Sequence, residues 1–214
     1  MSIFITLEGP DGSGKTTQGR LLVEWLREQG HGALLTREPG GSDIGEQIRK
    51  VLHASANTAM TARTEFLLYS ASRAQHVSQL ILPSLAAGKV VVSDRYADSS
   101  VAYQGYGRGL DLETVQAVTA FATTGLRPDL TLYFDVAAGE GLQRRLLSGD
   151  VWNRMDAEAL AFHRRVRNGY LELVKADPER WALIDANRPI DEVQRDVRDV
   201  VSVRLEADRQ QADR

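Results

Sequence analysis

There is no cysteine anywhere in the 214 residues, so disulfides and thiol chemistry are excluded and a cytoplasmic setting is expected. No apolar run approaches the roughly 20 residues that a membrane span needs. An apolar strand opens at Ile3, so no signal peptide is expected either. Excess charge of one sign is also missing. The 26 Lys and Arg stand against 29 Asp and Glu, a formal net charge of −3, which offers no basic field to draw nucleic acid. No internal repeat or interdomain linker breaks the chain. Histidine is sparse, and His31, His53, His76 and His163 read as ordinary surface or helix residues rather than catalytic bases. What remains is a hydrophobic content of 43%, enough for a substantial core in a single domain spanning 1–214.

Against these absences one stretch stands out: Gly9-Pro10-Asp11-Gly12-Ser13-Gly14-Lys15-Thr16-Thr17. It follows the apolar run Ile3 to Leu7 and precedes Leu21, Leu22, Trp25 and Leu26, which mark one face of a helix. Strand, glycine loop, lysine, hydroxyl and helix together form a phosphate cradle. The glycines let backbone N–H groups turn toward an anion, Lys15 adds a mobile positive charge, and Thr16 offers a hydroxyl to Mg²⁺. The match to G-x-x-x-x-G-K-[ST] is complete, which makes this a nucleotide-binding P-loop.

Further short apolar runs follow at Ala33–Thr36, Val90–Ser93, Leu130–Val136 and Trp181–Ile184. Between them lie helical patterns: Ile44, Ile48, Val51 and Leu52; a long one from about Arg63 to Leu82, stopped near Pro83; and Leu112 to Ala122. Phe162 to Leu173 and Ile190 to Val201 give two more. Ser99 to Gln104 reads as helical, and Gly105, Gly107 and Gly109 as a mobile loop. A frayed polar tail is expected over 206–214. The alternation predicts an α/β fold of the P-loop NTPase type, a five-stranded parallel sheet with helices on both faces. Ligands collect at the C-terminal ends of such strands. The P-loop, Arg37-Glu38, Asp94-Arg95 and Asp135 all fall there.

A P-loop alone does not separate a switch, a motor and a kinase. A guanine-reading Asn-Lys-x-Asp loop is missing; Asp185-Ala186-Asn187-Arg188 stands at the end of the fifth strand instead. Arg37, Arg73 and Arg95 lie in three separate segments, and guanidinium forks suit phosphate. Tyr69 and Arg73, four apart, share one helix side and so can stack on a base and bond its carbonyl; a surface arginine packed on a half-buried tyrosine is the alternative. The chain is also short for a motor ATPase, and these features favour a small-molecule kinase, with a nucleotide-binding switch as the alternative.

Several signatures resemble the thymidylate kinases, P-loop nucleoside-monophosphate kinases. They are Leu7-Glu8-Gly9 through Thr17, Arg37-Glu38-Pro39-Gly40-Gly41-Ser42, Leu67 through His76, and Asp94-Arg95-Tyr96-Ala97-Asp98-Ser99-Ser100-Val101-Ala102-Tyr103-Gln104-Gly105. The likeness covers roughly residues 3 to 200. It implies ATP-dependent phosphorylation of dTMP to dTDP with Mg²⁺, small-molecule partners only, and a homodimer. Another pyrimidine monophosphate is the nearer alternative acceptor.

The resemblance also implies roles residue by residue. Lys15 and the loop amides of 9–17 hold the donor phosphates, and Thr16 and Asp94 serve the metal. Asp11 meets the acceptor sugar or a metal-bound water, and Arg95 lies between the two phosphate groups. Glu38, Pro39, Tyr69, Arg73, Ser99, Ser100 and Gln104 bind the acceptor, Tyr103 favours deoxyribose, and Pro39 follows a cis peptide bond. Tyr69 stands where the family commonly has phenylalanine. Arg154-Met155-Asp156 matches a lid motif. The variable P-loop positions carry no cation, so the activating arginine is expected in a lid over 141–156, with Arg145 and Arg154 as candidates. A solvated helix face is the competing reading of Arg144, Arg145 and Arg154. The lid is read as a helix from Gly141 broken at Ser148-Gly149-Asp150.

Overall fold

The computed structural model describes residues 2–147, 149 and 153–212. Five strands form one parallel sheet in the order β2-β3-β1-β4-β5: β1 Ile3–Glu8, β2 Ala33–Arg37, β3 Val90–Asp94, β4 Leu130–Asp135 and β5 Trp181–Asp185. The helices are α1 Lys15–Glu28, α2 Asp43–His53, α3 Ala62–His76, α4 Leu82–Ala86, α5 Ala97–Ser100, α6 Leu112–Thr123, α7 Ala138–Leu147, α8 Leu160–Ala176 and α9 Ile190–Ala212.

Strand β1 shows how the sequence divides the core. Its residues alternate in direction. Ile3, Ile5 and Leu7 pack in one cluster with Leu22 and Leu26 of α1 and Val193, Val197 and Val201 of α9. Phe4 belongs to a cluster on α3's side of the sheet, with Val77, Ile81, Val91 and Tyr96. Glu8 points in that direction too and is fully buried. Both faces of the sheet are therefore covered, as parallel pairing requires. Truncating a fully buried leucine such as Leu22 typically costs about 2–5 kcal/mol.

Two parts of the sequence reading are corrected. The long helix does not stop at Pro83: a π-helical turn, Val77–Ile81, is followed by α4, with Pro83 in its first turn. The wider turn accommodates a residue that has no N–H to donate. Gly105 and Gly107 lie not in a loop but in a π-helix over Val101–Gly107, and only Gly109 falls in the loop beyond it. A Cβ on Gly107 would come within 2.7 Å of the Phe162 ring, so the glycine permits close packing against α8. The last helix, α9, is described through Ala212. The expected lid break at Ser148 and Asp150 lies outside the described residues. Among the described residues no helix is long and apolar enough to cross a membrane.

Candidate active site

The P-loop links β1, the central strand, to α1, so the phosphate cradle sits at the middle of the sheet's C-terminal edge. Gly12 and Gly14 have positive φ, which turns the loop around its own interior. Gly12 also faces Gly141 at the start of α7 so closely that a Cβ on Gly141 would lie 2.6 Å from the Asp11 carbonyl. That glycine pair brings α7, with Arg144 and Arg145, against the loop. Lys15 curls over the cradle: its Nζ donates to the Gly9 carbonyl at 3.0 Å, the Pro10 carbonyl at 2.7 Å and Ser13 Oγ at 3.2 Å. Burial, with the Arg95 charge nearby, lowers its pKa to about 8. Thr16 Oγ1 donates to Asp94 Oδ2 at 2.6 Å, which joins the first turn of α1 to the end of β3.

Arg95 follows β3 with φ of 71°, a left-handed conformation uncommon outside glycine. Its side chain is held on every side. Nη2 donates to Asp11 Oδ1 at 2.7 Å and to Tyr103 Oη at 3.0 Å; Nη1 donates to Ser99 Oγ and Tyr170 Oη, both at 3.3 Å. The Tyr103 ring also lies 4.9 Å beneath the guanidinium. Burial alone would raise the Asp11 carboxyl, but the Arg95 and Lys15 charges outweigh it and hold the group well below the ordinary carboxylate range.

On the far side lies a second wall, built from the end of β2, α3 and the segment after β3. The Glu38-Pro39 peptide is cis, as the resemblance implied. Arg73 is 1% exposed and donates to Glu38 Oε2 at 2.7 Å, Ser100 Oγ at 2.8 Å and the Tyr96 carbonyl at 2.9 Å. Gln104 Nε2 donates to Glu65 Oε1 at 2.9 Å. One cavity of about 800 Å³ joins the two ends. It is lined by Asp11, Gly12, Gly14, Lys15, Thr16 and Thr17, by Asp94 and Arg95, and by Glu38, Pro39, Tyr69, Arg73, Ser99, Ser100, Tyr103 and Gln104. Gly9, Pro10 and Ser13 shape the loop from behind instead of lining the cavity. The two lid arginines part company. Arg145 lines the cavity and pairs with Asp156 at 3.2 Å. Arg154 does not line it: Glu65 holds it at 2.6 Å, and the Leu52 carbonyl accepts from its Nε at 3.1 Å.

The sequence reading missed several groups. His76 is not an ordinary helix residue but fully buried, between Thr36 and Glu38; His163 is buried as well. His53 lines the cavity, where burial and the Arg49 charge lower its pKa to about 4. Arg49 lines the cavity too and donates to the Pro39 carbonyl at 2.9 Å. Glu8 accepts from the Tyr96 amide at 2.8 Å, Ser99 Oγ at 2.6 Å and Tyr170 Oη at 2.7 Å. A glutamate directly before the glycine loop was the one available signal, since an acidic residue ending a buried strand needs partners.

Residues 7–197 match the family model for thymidylate kinase. The chain is 50% identical over 202 residues to the thymidylate kinase of Roseiflexus sp. (strain RS-1), and 49% over 203 residues to that of Roseiflexus castenholzii (strain DSM 13941 / HLO8). Each of these alignments covers 89% of both chains. A crystal structure of thymidylate kinase from Ehrlichia chaffeensis superposes with a TM-score of 0.75 at 34% identity, covering 94% of this chain and 98% of that one. With a family model, curated relatives and a solved structure that each match most of its length, the chain belongs to the thymidylate kinase family.

Proposed function

We propose that the chain transfers the γ-phosphoryl group of ATP to dTMP, giving dTDP, with Mg²⁺ at the P-loop. The observation that carries this reading is the single cavity, with a phosphate cradle at one end, Tyr69 and Arg73 at the other, and Arg95 between them. Thr16 and Asp94 supply two hard oxygen donors 2.6 Å apart beside the cradle. Mg²⁺ uses few protein oxygens and fills its octahedron with water and phosphate oxygens, so this pair fits it. When bound, the ion neutralises phosphate charge.

The protein's part is electrostatic and positional. An acceptor monophosphate has a second pKa near 6, so at neutral pH its oxygen is already mostly ionised and needs no base. His53, held neutral, is therefore not required as one. The obstacle is repulsion between two anions. Lys15, Arg95 and a lid arginine offset it and stabilise the charge that develops on the transferring group. Arg145 is the lid arginine we assign to that task, because it faces the cavity; Arg154 braces the acceptor wall through Glu65. Arg73 meets a carbonyl of thymine, Tyr69 stacks on the ring, and Tyr103 crowds the 2′ position. A homodimer is the proposed assembly. Ile44 and Val51 on α2, Leu67 on α3 and Phe121 on α6 are all exposed apolar side chains on helices that pack together, which supports it.

The test is coupled ADP release with each nucleoside monophosphate in turn, with and without a magnesium chelator. Turnover should require dTMP and the divalent ion. Preference for another pyrimidine would reassign the acceptor, and slow hydrolysis indifferent to any monophosphate would point to a nucleotide switch instead.

A further inference from the structure

Behind the acceptor wall runs a buried hydrogen-bonded chain that phosphoryl transfer leaves unused. Glu38 is only 5% exposed, and α3 engages both of its oxygens. Oε2 accepts from Arg73 Nε at 2.7 Å, and Oε1 lies 3.0 Å from His76 Nδ1. His76 Nε2 in turn lies 2.7 Å from Thr36 Oγ1 on β2. An ionised carboxylate has only lone pairs to offer, so Nδ1 carries the proton toward Glu38. Nε2 makes the second hydrogen bond, with the Thr36 hydroxyl. Thr36, His76 and Glu38 thus form one continuous hydrogen-bonded chain, and Arg73 closes it from the other side.

Arg73 gives three of its five N–H groups to protein acceptors: Glu38, Ser100 and the Tyr96 carbonyl. One N–H on each terminal nitrogen is left over from those bonds, on a side chain that lines the cavity. The direction of those two groups follows from the plane of the guanidinium, which its bond to Glu38 sets together with those to Ser100 and the Tyr96 carbonyl. Glu38 itself sits next to a cis peptide bond in a tight loop. There the His76 ring packs so closely that a Cβ on Gly41 would collide with it.

We propose that His76 is a positioning residue for acceptor recognition: by fixing Glu38, it holds the Arg73 guanidinium at the angle that reads the acceptor base. This rests on the assignment of Arg73 to that base. An aliphatic side chain at 76 would leave a buried carboxylate oxygen without its donor and free Glu38 to turn. A hydrogen bond to a charged group is worth enough that its loss changes an equilibrium by about tenfold to a hundredfold.

The experiment compares His76→Leu, His76→Asn and His76→Gln with the parent enzyme in steady-state assays. Asparagine can place an amide N–H where Nδ1 stands, whereas glutamine reaches toward the Nε2 position. His76→Leu should raise KM for dTMP about tenfold or more, leave kcat and KM for ATP within about twofold, and weaken the preference for dTMP over other monophosphates. His76→Asn should recover most of the loss. Where the leucine variant does not fold, the contrast between asparagine, near normal, and glutamine, raised, decides the matter. Equal effects on both substrates, or asparagine no better than leucine or glutamine, would overturn the proposal and leave His76 a packing residue. Arg73→Gln is measured alongside. An unchanged KM for dTMP in that variant would remove Arg73 from the base, and the role of His76 with it. A raised KM there with an unaffected His76→Leu would break only the link between the two.

Discussion

Glu8 offers the sharpest physical test of the site's foundation. It ends β1 fully buried, directly before the P-loop. Burial first, and the Asp98 charge second, raise its pKa from 4.5 to about 7, against the partial relief of Arg95 and the Ser99 and Tyr170 hydroxyls. The sign of the consequence follows from where protons bind. In the unfolded chain the carboxyl ionises near 4.5, while in the native fold it keeps its proton until about 7. Between those values the native state holds more protons, so this group's contribution to stability is fully present below pH 4.5. It is lost as pH rises through 7. The 2.5 units between the two values correspond to about 3 kcal/mol at full loss.

Glu8→Gln removes the titration while keeping the shape. Its carbonyl can serve the Tyr96 amide, and the hydroxyls of Ser99 and Tyr170 can turn to accept from the new NH₂. Any fixed difference between the two proteins is independent of pH, and every other titrating group is common to both. The difference in slope therefore isolates Glu8. In urea titrations the variant should gain roughly 2–3 kcal/mol on the parent between pH 5 and pH 8. Parallel stability profiles across that range would refute the reasoning, because they would mean that Glu8 ionises at the same pH folded and unfolded.

Two further outcomes follow from the cavity. Lys15→Ala should lower kcat by about 10²–10³, while the thermal midpoint moves by no more than about 5 °C; single-turnover rates and a melting curve check both halves. Tyr103 is nearly buried with its ring under Arg95, so Tyr103→Ala opens space where a 2′-hydroxyl would fall. The ratio of kcat/KM for deoxyribose over ribose acceptors should then drop by about tenfold, and an unchanged ratio would remove Tyr103 from sugar discrimination.

What could be read in advance was what is local. The P-loop is a contiguous run whose spacing carries its chemistry, and β1, β3 and β4 are short apolar runs with no competing period. The cis bond at Pro39 and the convergence of Arg73, Arg95 and Tyr69 on one cavity also agree with the motif segments. What stayed hidden depends on pairing between distant segments. His76 sits on α3 at a spacing that says nothing of burial; it becomes a core group because Thr36 and Glu38, some forty residues earlier, close over it. Gly105 and Gly107 look like flexibility in one dimension, and only the approach of Leu112 and of Phe162 on α8 turns them into contact surfaces. Arg154 and Arg145 are equivalent as charges in the sequence, and Glu65 against Asp156 is what separates them.

That last pairing reflects a rule of the whole site. A cavity meant for two polyanions needs cations, yet cations buried together without partners would repel one another and lose hydration. The fold assigns carboxylates to them in advance: Asp11 to Arg95, Glu38 to Arg73, Glu65 to Arg154 and Asp156 to Arg145. The pairs differ in access. Glu38 and Glu65 are almost fully buried and act as fixed braces, whereas Asp11, which lines the cavity as Glu38 does, stays partly exposed 2.7 Å from Arg95. Asp11 stays ionised far below neutral pH, so Arg95 never faces the cavity as a bare charge. Both terminal nitrogens of Arg95 are already engaged, Nη2 by Asp11 and Tyr103 and Nη1 by Ser99 and Tyr170, so under the proposed function an arriving phosphate has to share or displace one of these acceptors. Those partners fix the orientation of the positive charge, and under the proposed function that is the preorganisation by which it would stabilise charge developing in the transition state.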